Sequence, residues 1–108
     1  MNFIYLNKYK DHPDARINTS LLWEFDSSKF DYHQMRDLVV QRVIERGWPN
    51  DWWAILNLYG EAGVEDAVRN IPYLSDDNME FVSKAFKIPI TDMKCYERKL
   101  SRPQHWNS

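Results

Sequence analysis

Cysteine is almost missing: Cys95 stands alone, so no internal disulfide and no Cys-x-x-Cys ligand pair can form. Glycine is scarce as well. Gly47, Gly60 and Gly63 are the three in the chain, too few for a phosphate-cradling loop or a dinucleotide fingerprint. The three histidines, His12, His33 and His105, lack the close spacing of zinc ligands, so neither metal nor cofactor is expected. No apolar run approaches the roughly 18 residues a membrane span takes, and the chain does not open on a basic segment followed by an apolar one. A soluble, cytoplasmic protein without membrane contact is the expectation. A basic excess is missing too: with a net charge of -2, the molecule as a whole has no electrostatic reason to seek nucleic acid.

What the chain does have is aromatic rings, with five Trp, six Tyr and five Phe in 108 residues, enough for one domain with an aromatic-rich core. Residues 1–20 read as an arm, partly extended or without fixed structure, with His12-Pro13-Asp14 as a turn signal. Residues 21–108 read as a single helical domain. Two short apolar runs, Phe3 to Leu6 and Leu21 to Asp26, fit either strands or segments draped over helices.

From Asp31 onward the helical period dominates. Asp31 caps a first helix over about residues 32–46, whose apolar positions include Tyr32, Met35, Val39 and Val43. Gly47 supplies a left-handed stop, Pro49 and Asn50 restart the chain, and Gly60 closes a second helix. Trp52, Ile55, Leu56 and Tyr59 form that helix's stripe, with Trp53 about 100° away from Trp52. Val64, Ala67, Val68 and Ile71 write a third helix before Pro72; Ser75 caps a fourth, and Thr91 a fifth that reaches about Leu100. The fold class is therefore all-α, a compact bundle of about five short helices with an amino-terminal extended arm.

The paired helices over Arg42 to Gly60 have the outline of a helix-turn-helix DNA reader. Its second helix, however, carries Asp51 and no Lys or Arg, where base recognition needs cations. Cys95 and His105 lack the third member of a nucleophilic constellation, so the chain is expected not to be an enzyme. Asp76 and Asp77 start a helix, where its dipole explains them. Charge is uneven: residues 61–92 hold seven acids and three bases, whereas residues 93–108 hold Lys94, Arg98, Lys99 and Arg102 against Glu97. Trp48 in a turn, Trp53 off the core stripe, and His105 and Trp106 near the end join Lys94, Arg98 and Arg102 as candidate partner contacts. Exposed aromatics also make a homodimer plausible.

Three segments carry a resemblance: Leu21-Leu22-Trp23-Glu24-Phe25-Asp26, the Arg42 to Gly60 hairpin with its Val-Ile-Glu-Arg-Gly core, and Cys95-Tyr96-Glu97-Arg98-Lys99-Leu100-Ser101-Arg102-Pro103-Gln104-His105-Trp106-Asn107. Over about residues 20–108 the chain resembles a family of small bacterial proteins, frequent in Bacteroides-like organisms, known only as a domain of unknown function. Such proteins are often encoded beside nucleotidyltransferase-type toxins of abortive-infection systems. The resemblance implies an antitoxin-like protein–protein interaction module; it carries no catalytic residues over. The alternative from the residues themselves is a nucleic-acid-binding regulator using Lys94 to Arg102, with Tyr96 and Trp106 as stacking rings.

Overall fold

The computed structural model describes residues 8–25 and 29–101, with side chains through Glu97. Among the described residues there are four α-helices, α1 (Arg36–Arg46), α2 (Pro49–Asn70), α3 (Asp76–Phe86) and α4 (Lys94–Ser101), and no strand. Three 3₁₀ turns accompany them: η1 (Lys8–Asp11), η2 (Thr19–Leu22) and η3 (Ile90–Asp92). The all-helical expectation holds, with four helices in place of five. The difference lies at Gly60, where the expected second and third helices join into one element interrupted by a single residue at φ 76°, ψ 167°. Only glycine occupies that region comfortably, so the residue reads as a stop although the chain resumes its helix at once.

α1 begins later than the sequence suggests. Asp31 does cap, its Oδ1 accepting from the amides of His33 (3.0 Å) and Gln34 (3.1 Å), but it caps a turn that leads into the helix at Arg36. The helix buries Val39, Val40, Val43 and Ile44 and ends with the Gly47 amide donating to the Val43 carbonyl at 2.8 Å. Gly47 is not left-handed; at φ -76° and ψ 154° its backbone is open to any residue. Glycine is needed there for space, because a Cβ would stand 2.6 Å from the Val43 carbonyl oxygen.

Pro49 opens α2 at its first turn, where a missing N–H costs nothing. Its inner stripe is as read: Trp52, Ile55, Leu56, Val64, Ala67 and Val68 are all buried, and Tyr59 is half-buried. The Tyr59 hydroxyl donates to the Tyr32 carbonyl at 2.6 Å, and burial pushes this phenol's pKa well up. Arg36 pairs with Asp66 at 2.6 Å, tying the start of α1 to the second half of α2. Ser75 caps α3, its Oγ accepting from the Asn78 amide at 3.2 Å. That helix ends at Lys87, in left-handed conformation at φ 56°, two residues before Pro89. Met79, Val82, Ala85 and Phe86 close over the core, with Phe81 and Phe86 at 5.7 and 6.2 Å from the Trp52 ring. Met93 and Cys95, from the residue before α4 and from α4 itself, add the last buried side chains among the described residues.

Residues 8–22 are not the extended arm expected. They form η1, a turn at Pro13 and Asp14, a link to Asn18, and η2; η1 packs on α2 and η2 on α1. Leu21 to Phe25 is a drape and not a strand, with Leu22 buried against α1. The run Phe3 to Leu6 lies outside the described residues. No helix among the described residues is long and apolar enough to cross a membrane.

Candidate functional site

Asp51 is the buried charged side chain of the described core, at 2% exposure. It sits in the first turn of α2, where the helix dipole favours an anion. Its Oδ2 accepts from the Trp48 amide at 2.9 Å and its Oδ1 from the Asn18 amide at 2.8 Å. One carboxylate thus satisfies an amide at the helix start and one from a segment 33 residues away. Charge-assisted bonds of this kind are about twice as strong as neutral ones.

From that point the chain before Asn18 runs antiparallel to α2. The Asn50 amide group donates to the Arg16 carbonyl at 2.9 Å, and the Asn57 amide group to the His12 carbonyl at 2.8 Å. The imidazole of His12 stacks on the Trp53 indole with centroids 3.7 Å apart and planes 3° from parallel. Beyond it the Tyr9 hydroxyl donates to Glu61 Oε2 at 3.0 Å, and burial together with that carboxylate raises the phenol's pKa. At 100° per residue, Asn50, Trp53 and Asn57 fall on the face of α2 opposite Trp52, Ile55 and Leu56. Between this strap and the helix lies a cavity of about 340 Å³, lined by Ala15, Arg16, Ile17, Thr19, Tyr32, Ala54 and Leu58.

The chain after Asn18 is held by α1. Arg42 grips Glu24 with both terminal nitrogens (2.8 and 2.7 Å) and donates to the Leu21 carbonyl at 3.0 Å. The guanidinium holds the Glu24 carboxyl below its usual range, and Arg46 contributes to the same effect. Trp23 is next to Glu24, and Trp48 follows Arg46 by two residues. Both indoles are exposed, at 75% and 73%. Each sits on backbone that is pinned beside it, by the Arg42–Glu24 pair in one case and by Asp51 in the other.

Of the sequence candidates, Trp48 is therefore a surface indole, whereas Trp53 is half-buried beneath His12. Lys94 is exposed at the start of α4. Arg98 lies within α4, but its side chain is outside the described residues, as are Arg102, His105 and Trp106 entirely. Cys95 is buried and its thiol is pushed up by that burial, away from thiolate chemistry. No group of three or more potential metal ligands occurs among the described residues. Sequence reasoning missed Trp23, Asp51 as a clasp, and the outward stripe Asn50, Trp53, Asn57. The i, i+3, i+7 spacing of that stripe was the available signal, obscured because its members are polar or aromatic and not aliphatic.

Residues 17–68 match the model of a family of unknown function (DUF6922). No curated protein and no solved structure matches the chain. The matched stretch runs from the end of the strap through α1 and into the second half of α2, so it contains both pinned tryptophans and the Asp51 clasp. The carboxyl-terminal segment that contributed to the sequence resemblance falls outside it.

Proposed function

We propose that the chain is a non-enzymatic module that works by protein–protein contact, with Trp48 and Trp23 as the anchors of its docking end. The observation that carries this reading is an indole left 73% exposed on a backbone held by a buried carboxylate. Large aromatic rings on fixed main chain are what protein interfaces use as anchors, because little ordering remains to be done on binding. Trp53, Lys94, Arg98, Arg102, His105 and Trp106 are further contact candidates. The partner we propose, from the family resemblance, is a nucleotidyltransferase-type toxin in a bacterial cytoplasm, which the chain restrains in the manner of an antitoxin. The buried, proton-holding Cys95 supports a non-catalytic role, since the reactive form of a thiol is its anion.

Co-expression with the neighbouring toxin tests this. A co-purifying complex is expected, weakened at least tenfold by Trp48→Ala and less by Arg98→Ala. Absence of any complex at micromolar concentration overturns the reading. The uneven charge, with residues 93–108 carrying four bases against one acid, is what favours the second reading, a nucleic-acid-binding regulator. In that case a shift assay at low salt gives binding that falls steeply as salt is added.

A further inference from the structure

The strap of residues 8–18 is seated on α2 largely through its main chain, with Tyr9 and Ile17 partly buried against the core. At three points the helix reads main chain alone: the His12 carbonyl, the Arg16 carbonyl and the Asn18 amide. Two side chains add to these, the His12 ring on Trp53 and the Tyr9 hydroxyl on Glu61. No residue from Lys8 to Ser20 is fully buried, in contrast to Leu22 just after them. An open pocket adjoins the strap beside Ala54 and Leu58. Segments with exposed hydrogen bonds and little apolar burial are the first to open in a native protein.

We propose that the outer face of α2 from Asn50 to Glu61 is a peptide-docking groove, filled in the free chain by residues 8–18 and yielded to an extended segment of the protein partner. Main-chain recognition makes the site tolerant of sequence, as when a peptide is bound through its backbone and selected by a few pockets. The features left on the helix specify the better occupant. Glu61, which accepts from the uncharged Tyr9 hydroxyl, calls for a basic residue there. Trp53 calls for a flat ring about three residues later, the separation of Tyr9 and His12. The cavity takes a side chain bulkier than Ala15 a few residues further on. The groove meets Trp48 at the Asp51 clasp, so it extends the docking end proposed above and rests on that reading for the nature of its ligand.

The test uses a synthetic peptide of residues 8–18 as probe and the full chain as receptor, followed by nuclear magnetic resonance at the Trp53 indole. Binding in trans is expected to tighten at least fivefold when Tyr9→Phe and His12→Ala weaken only the resident strap. It should be lost when Asn50→Ala and Asn57→Ala remove the groove's donors. In hydrogen exchange, amides of residues 8–18 should open at least a hundredfold faster than those of residues 39–44, and faster still once a partner is bound. The proposal is overturned if the peptide fails to bind the Tyr9→Phe, His12→Ala chain at millimolar concentration. Protection of the strap equal to that of α1, or unchanged in the complex, overturns it as well. The peptide experiment needs no partner, so its failure leaves docking through Trp48 standing, and a missing partner complex leaves the groove measurable.

Discussion

One helix, α2, is held on two faces by two kinds of chemistry. Its inner face is apolar: Ile55, Leu56, Val64, Ala67 and Val68 lie against α1, α3 and α4 with almost no exposure. Its outer face is polar and is covered by a strap that touches it through amides, a carboxylate and one ring stack. Burying an aliphatic side chain contributes about 1.5–3 kcal/mol, whereas a net hydrogen bond contributes about 0.5–1.5 kcal/mol. The first kind of contact fixes the fold; the second fixes a segment to it and can be undone without unfolding the rest.

The contrast can be broken from the core side first. Ile55→Ala removes a fully buried side chain and should cost about 2–5 kcal/mol, read as a lower midpoint in urea for the whole molecule. A smaller and differently placed loss is expected from Asp51→Ala. It leaves the Asn18 and Trp48 amides without their acceptor, costing about 1–3 kcal/mol. Hydrogen exchange should locate that loss at the strap and the first turn of α2, with α3 unaffected. If the two substitutions produced the same exchange pattern, the division between core and strap would fail.

Titration sharpens the same comparison. Tyr59 has its pKa raised by burial, so its contribution is complete below the ordinary tyrosine value of about 10 and is lost as pH rises beyond it. Alkaline unfolding should therefore be steeper for the native chain than for Tyr59→Phe. That replacement also forfeits the bond to the Tyr32 carbonyl, about 0.5–1.5 kcal/mol at neutral pH. Glu24 behaves in the opposite sense and gives the smallest effect. Arg42 holds its pKa down, so the pair contributes above the ordinary glutamate range and fades as pH falls through the lowered folded value. Glu24→Gln should lower the urea midpoint slightly at pH 7, and the two midpoints should converge in acid.

The inner face of α2 was legible because aliphatic residues at i, i+3 and i+4 announce burial without reference to anything else in the chain. Ser75, Asp31 and Pro49 were legible for a similar reason, since capping and first-turn chemistry are local. The strap was not. Asn50 and Asn57 bind carbonyls 34 and 45 residues away, and no local pattern distinguishes them from solvated amides. Asp51 entered the sequence reading as an acid out of place in a DNA reader, and nothing local shows that its second amide comes from Asn18. Gly47 was read by the commonest reason for a glycine after a helix, the left-handed turn. The reason that applies is the Val43 carbonyl within reach of any Cβ.

Gly60 carries a consequence of a different sort. Nothing stands within 4 Å of where its Cβ would be, so the obstacle to a side chain there is handedness and not room. The mirror image of its backbone angles lies in the ordinary extended region, so these torsions suit a residue of the opposite configuration and oppose an L side chain. L-alanine at position 60 should strain the junction between the two halves of the helix, and a chain assembled by chemical ligation with D-alanine there should be free of that torsional strain, read as a higher urea midpoint than the L-alanine chain.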